Sequence, residues 1–293
     1  MTVPVVRDAR VDEVGWELFR SLGAVALTPP PGNRVLCAAL DLPIPTGVEH
    51  TDAFLLSAPP HGAIHLGPEG KLGGEGLDRI AGFWRVLGLR APEDADHLGA
   101  LLMFYAELGE AEQNASQERV RAQLHRARAT LFHEHIWSWA PGYLCAVADL
   151  GIASVAAWAR LTEQALGAEF ADLEPAELLP LALRAAPSGL GAADPLDDTL
   201  DALVAPIRCG FVLTSRDLAG CARQVGVGLR RGERRYALRA MLEQDAPGTL
   251  TWLAAHARWC AQRCGSVPHK ANDPRVWWSR RASATARVLD ALV

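Results

Sequence analysis

The sequence lacks the long apolar run that a membrane-spanning helix needs. Apolar segments such as 23–27 and 151–159 are interrupted well before the ~20 residues required to cross a bilayer. The first residues, MTVPVVRDARVDEVGW, also lack the apolar stretch after a basic start that marks a secretory signal. We therefore expect a cytoplasmic protein that does not insert directly into a membrane.

Cysteine and lysine are both scarce. Six cysteines in 293 residues are too few for a secreted disulfide scaffold, so reduced thiols are expected. Only two of the 29 basic residues are lysines, which we interpret as coding bias. The composition, with 49% hydrophobic and 22% charged residues, is that of a globular protein, and the length suffices for one large domain or two ordinary ones.

Basic residues are outnumbered in the first part of the chain, and acidic residues are outnumbered in the last part. Residues 207–293 hold 15 Lys+Arg against 6 Asp+Glu, a net charge of +9. Residues 1–206 hold 14 against 28, a net charge of −14. The overall charge of −5 therefore combines an acidic body with a basic C-terminal region, an asymmetry that can reflect a binding partner.

Strand-like alternation is missing, and helical periodicity runs through most of the chain. Apolar residues recur every three or four positions in 98–108 and in 120–139, which predicts an all-α fold. Breaks rich in Gly and Pro divide the chain into about seven to ten helices. After the break at 185–195, further helices are predicted at 216–224 with Thr214 or Ser215 as N-cap, 232–244, 246–263 and 274–291.

The familiar enzyme motifs are also missing. There is no Gly-x-Ser-x-Gly elbow, Walker A loop or dinucleotide fingerprint. Histidines and glutamates in adjacent elements raise the alternative of a metal-dependent helical enzyme, but no histidine follows a glutamate by three residues, as a di-metal bundle requires. His133 and His135 in turn would point about 200° apart on a helix. The metal-dependent enzyme remains an alternative that the spacing does not favour.

Two features of the basic region leave other functions open. Cys209, Cys221, Cys260 and Cys264 could bind zinc or an iron–sulfur cluster, although the spacing CAQRC is wider than the usual pair. Seven arginines crowd into 216–239 and could contact phosphates in a nucleic-acid-binding regulator. Because the whole chain is acidic and no base-reading motif is present, we favour arginines that face the acidic body, and we expect no nucleic-acid partner.

Two ordered motifs carry a resemblance to a known family. The stretch 92–98, PEDADHL, and the stretch 131–139, LFHEHIWSW, are separated by a charged helix, and Pro141 follows the second. In this order they resemble the TorD-type redox-enzyme maturation chaperones, which include the nitrate reductase delta-subunit proteins. The similarity also takes in 52–70 and spans roughly 11–170.

The resemblance implies a helical bundle and a role without catalysis. Such chaperones attend a molybdenum-cofactor oxidoreductase in the cytoplasm, bind its N-terminal twin-arginine signal or a remnant of it, and delay export until the cofactor is in place. We accordingly expect a TorD-like domain over 1–190 and a basic helical C-terminal extension over 191–293. The expected partners are the catalytic subunit and its signal peptide, and the chain itself is expected to hold no cofactor and to be a monomer or weak homodimer.

The resemblance also nominates residues for the peptide site. Asp96 is the leading carboxylate for a client arginine, and Glu93 is the second. His97 would orient Asp96 or contact the peptide. Glu134 and His135 would line the opposite wall, while Trp139 would hold the helix pair by packing. A purely structural role for His135 and Trp139 stays open.

Overall fold

The all-α prediction is confirmed by a computed structural model that describes residues 9–174, 176–230, 232–265 and 272–293. Those residues contain no β-strand. They form two π-helical turns, Asp52–Ser57 and Leu131–Ile136, and sixteen α-helices: α1 (Ala9–Leu27), α2 (Arg34–Ala39), α3 (Gly47–Thr51), α4 (Gly62–Leu66), α5 (Gly74–Val86), α6 (Leu98–Asn114), α7 (Glu118–Thr130), α8 (Ala140–Ala148), α9 (Ala153–Asp172), α10 (Leu181–Arg184), α11 (Leu196–Val204), α12 (Pro206–Cys209), α13 (Ser215–Val225), α14 (Arg234–Gln244), α15 (Ala246–Gly265) and α16 (Pro274–Ala291).

The predicted helix number of seven to ten is too low. Short helices of four to six residues, such as α4 and α10, lie in or next to segments that Gly and Pro had marked as breaks. The longer helices follow the sequence signals closely: α16 has the predicted bounds, and α13 begins after Thr214. Thr214 and Asp217 cap α13 reciprocally, because each side chain bonds the other's backbone N–H.

The helices α1 and α6 pack unusually closely through two glycines. A Cβ added to Gly23 would lie 2.5 Å from the carbonyl oxygen of Gly99, and one added to Gly99 would lie 2.6 Å from that of Gly23. No side chain fits in either place. This contact fixes the N-terminal end of α6, where the 92–98 motif ends, against the first helix of the core.

A buried ionic network joins α6, α7 and α9. Arg128, only 7% exposed, donates hydrogen bonds to Glu112 (2.7 Å) and Glu169 (2.8 Å). The hydroxyl of Tyr105 also donates to Glu169, and the guanidinium lies over the ring of Trp16 at 5.1 Å. Since each buried charge has a partner of opposite sign, the network stabilises one relative placement of the three helices.

Two hydrophobic cores are present, and the C-terminal part of the chain contributes to both. The second core is built from α11 to α16, whereas the first extends from α1 to α10. Ile207 and Trp278, however, belong to the first core, and the Trp278 indole donates a hydrogen bond to the carbonyl oxygen of Ser138 (2.8 Å). The division expected at 190/191 stays a prediction, and two side chains from beyond it pack into the first core.

The arginines of the basic block are divided among several partners. Arg216 pairs with Asp52 and donates to the carbonyl oxygen of Leu150 at 2.9 Å, so it ties α13 to the body. Arg235 instead pairs with Asp197 and Asp201 within the C-terminal region. Arg231 lies outside the described residues.

In the part of the chain that is described, none of the helices combines the length and the apolar character needed to cross a membrane.

We expect Trp278→Ala to lower the free energy of unfolding by about 3–5 kcal/mol, because it removes a buried indole from the first core and orphans the Ser138 carbonyl. Urea titration followed by circular dichroism measures the loss. Trp259→Ala is the control, since Trp259 is 40% exposed and should cost far less. Equal losses in the two variants would contradict a core role for Trp278.

Candidate functional site

Asp96 connects the 58–67 loop to the start of α6. The residue is 4% exposed, and its carboxylate accepts hydrogen bonds from the Ala63 backbone N–H (2.8 Å) and from His61 Nδ1 (3.1 Å). Burial alone would raise the pKa of the Asp96 carboxyl. The hydrogen bonds from His61 and Ala63 lower the pKa by more than burial raises it, so the pKa lies below its ordinary value. An ionised carboxylate only accepts hydrogen bonds, so His61 Nδ1 carries the proton of this pair.

Backbone contacts reinforce the same junction. The Gly62 N–H donates to the Asp96 carbonyl oxygen (2.9 Å), and the Leu98 N–H donates to the Pro60 carbonyl oxygen (2.7 Å). Gly62 also lies against Trp139, where an added Cβ would be 3.2 Å from the indole nitrogen. The 58–67 loop therefore packs closely on Trp139, and its hydrogen bonds to Asp96 hold it there.

His97 serves as the N-cap of α6. Its Nδ1 accepts a hydrogen bond from the Gly99 N–H at 3.0 Å, and burial lowers its pKa to about 4. The imidazole is therefore neutral at pH 7 and packs edge to face on the ring of His61 at 5.0 Å. The side chain that bonds Asp96 is that of His61, which the sequence did not single out.

Trp139 lies beneath the loop as a packing residue. It is 1% exposed, donates its indole N–H to the His135 carbonyl oxygen (2.8 Å), and stacks on His65 with ring centroids 4.8 Å apart. Burial lowers the pKa of His65 to about 3, so this imidazole is also neutral at pH 7. Nothing in the helical periodicity indicated the stack, because His65 and Trp139 are distant in the sequence.

Glu134 and His135 face different neighbours. Glu134 accepts a hydrogen bond from the Leu181 N–H (2.7 Å) at the first residue of α10. The ring of His135 packs on Phe83 of α5 with centroids 5.2 Å apart, and burial lowers its pKa to about 4. Both residues come from the π-helical turn Leu131–Ile136 rather than from the continuous helix suggested by the 120–139 periodicity.

Glu93 is the exposed member of the nominated set. It stands with Asp94 in the short segment between α5 and Asp96, and both side chains face solvent. The end of α5 and the residues after it expose apolar side chains as well: Val86 is 85% exposed and Leu89 is 43% exposed. Segment 86–94 therefore presents carboxylates beside apolar surface.

The cysteines do not assemble a metal site within the described ranges, where no group of three or more His, Cys, Asp or Glu side chains is placed to hold an ion. Cys209 and Cys221 are buried in the second core. Cys260 and Cys264 lie with Cys145 and His256 around a small cavity between α8 and α15. Burial raises the pKa of the Cys145 thiol to about 12, so it stays protonated at neutral pH.

Stability should fall on acidification from pH 7 to pH 5. His65, His97 and His135 stay neutral when folded but take up protons near pH 6.5 when unfolded, so their contribution is present above pH 6.5 and is lost as the pH falls toward 4. Each group would lower the free energy of unfolding by about 2 kcal/mol at pH 5. Urea titrations at several pH values measure this loss.

His135→Phe isolates one of the three groups. The variant keeps a ring against Phe83 but cannot take up a proton, so the loss between pH 7 and pH 5 should shrink by about 2 kcal/mol. His125→Gln is the control, because its side chain is 43% exposed. An unchanged pH dependence in His135→Phe would show that His135 is protonated in the folded protein.

Comparison with known proteins bears on the segment that contains this junction. A family model described as nitrate reductase delta subunit matches residues 46–144, which include both motifs and every nominated residue. No curated protein and no solved structure gives a significant match. The matched family supports, in general terms, a role in molybdoenzyme maturation. The match confirms, over residues 46–144 and thus about a third of the chain, the resemblance to the redox-enzyme maturation chaperones that include the nitrate reductase delta-subunit proteins.

Proposed function

We propose that the protein is a cytoplasmic chaperone that binds the N-terminal twin-arginine signal, or a remnant of it, of a molybdenum-cofactor oxidoreductase and assists cofactor insertion before export or assembly. The observation that carries the proposal is segment 86–94, which lies within the family match and exposes Glu93 and Asp94 beside Val86 and Leu89. This combination suits a peptide with two guanidinium groups followed by an apolar stretch.

The energetics of such a contact are sufficient. A charge-assisted bond between an arginine and a carboxylate contributes ~1.5–3 kcal/mol, and apolar residues of the peptide would cover Val86 and Leu89. Micromolar affinity corresponds to about −8 kcal/mol, which a few such contacts supply after the cost of ordering the peptide. The acidic charge of residues 1–206 adds long-range attraction for a basic peptide.

In the proposed complex, an arginine of the client peptide replaces His61 as the partner of Asp96. Its carboxylate already accepts the bonds of His61 and Ala63, so a client guanidinium reaches it by displacing the His61 ring. The His61 side chain is 15% exposed, whereas the Asp96 side chain is 6% exposed, so His61 is the more accessible member of the pair. His61 thus occupies in the free protein the place that an arginine would take, and Glu93 provides the first contact at the surface.

Titration of a labelled peptide with Arg-Arg before an apolar segment tests this arrangement. We expect Glu93→Gln to weaken binding by about tenfold, since it removes one charge-assisted bond. We expect Asp96→Asn to weaken binding at least as much. His61→Ala should tighten binding, because the group that competes for Asp96 is gone.

The controls separate recognition from general charge effects. Glu107→Gln removes an exposed carboxylate from α6 outside segment 86–94 and should leave the affinity unchanged. A peptide with Lys-Lys in place of Arg-Arg should bind more weakly, because lysine lacks the planar fork that matches a carboxylate. Unchanged affinity in both Glu93→Gln and Asp96→Asn would overturn the proposed site.

A further inference from the structure

A cleft of about 820 Å³ lies between the body and the C-terminal region. The body contributes Leu56 and the turn 68–71, while the C-terminal region contributes residues from α11, α12 and the starts of α13 and α14. A cavity of this size is in the range of small-molecule sites.

Two guanidinium groups in this cleft form no ion pair with any carboxylate of the residues that the structure describes. Arg208 Nε is buried and makes no hydrogen bond within the described residues. Arg234 donates one bond, to the carbonyl oxygen of Leu213 (2.7 Å), and burial lowers its pKa. Both side chains are half-buried, so part of the hydration of each cation is lost without an opposite charge to compensate, whereas Arg128 and Arg216 elsewhere in the chain are each paired with acidic groups.

The other charged groups of the lining do not neutralise this pair. Lys71 lies 3.7 Å from Glu69, and Arg235 is paired with Asp201. Glu233 is exposed and forms no ion pair with Arg208 or Arg234 in the part of the chain that is described. Its side chain also leaves the N-terminus of α14 uncapped, and the positive end of that helix dipole lies at the cleft.

We propose that this cleft binds a small anionic molecule through a phosphate or diphosphate group held by Arg208 and Arg234. Arginine forks match phosphate oxygens in two-bond geometry, and the first turn of α14 adds backbone N–H donors. The volume of the cleft leaves room for an organic group beyond the phosphates. Because the body and the C-terminal region both line the cleft, occupancy would strengthen the contact between them.

Calorimetric titration of the full chain with inorganic pyrophosphate tests the proposal. We expect saturable binding that Arg208→Gln and Arg234→Gln each weaken by about tenfold or more. Arg208→Lys should recover only part of the affinity, because it restores the charge without the fork. Titration with ADP distinguishes a nucleotide from a bare diphosphate by the added affinity of the organic group.

The matched control is Arg223→Gln, which removes the same charge from an exposed position on α13 outside the cleft. Its dissociation constant for pyrophosphate should equal that of the parent protein. The absence of pyrophosphate binding, or an equal loss in Arg223→Gln, would overturn the proposal. So would binding of an oligoglutamate peptide, but not of pyrophosphate, in a manner that depends on Arg208. Thermal melting without ligand verifies that each variant is folded.

Discussion

The bond between the Asp96 carboxylate and the Ala63 N–H is the constraint on which the candidate site depends. It holds the 58–67 loop against the start of α6 and brings His61 to the other carboxylate oxygen. With the loop fixed, Gly62 can lie against Trp139, and His65 can complete the stack beneath it. The contact between Gly23 and Gly99 fixes α6 against α1. The 58–67 loop and the 92–98 motif are therefore held in one position relative to the core.

Much of this arrangement was predictable, because it follows from local signals. The helical periodicity and the caps predicted the all-α fold and the bounds of α16, and the order of the two motifs predicted the family. The participation of His61 was not predictable, since its partner Asp96 is 35 residues away and no helix face relates them. The short helix α4 was missed for a related reason: Gly and Pro surround it, and Asp96 bonds its second N–H from outside the segment.

Charge has different functions in the two parts of the chain. Arg216 and Arg235 satisfy carboxylates of the body and of α11, so part of the +9 region is structural. Arg208 and Arg234 are half-buried and form no ion pair with a carboxylate of the described residues, and we propose that they bind an anion instead. Exposed carboxylates at Glu93 and Asp94 lie in the acidic part instead. The net charge of −5 therefore conceals an acidic segment and a basic cleft, for which we propose ligands of opposite sign.

Trp278 has a consequence for synthesis of the chain on the ribosome. The indole fills the first core and bonds Ser138, yet it lies 140 positions later in the sequence. During translation the residues of the body leave the ribosomal exit tunnel long before Trp278 does. The first core therefore lacks this indole until the C-terminal region has been synthesised. Helix α16 thus completes the first core after the body has emerged, and a nascent chain cannot reach its final stability before α16 has docked.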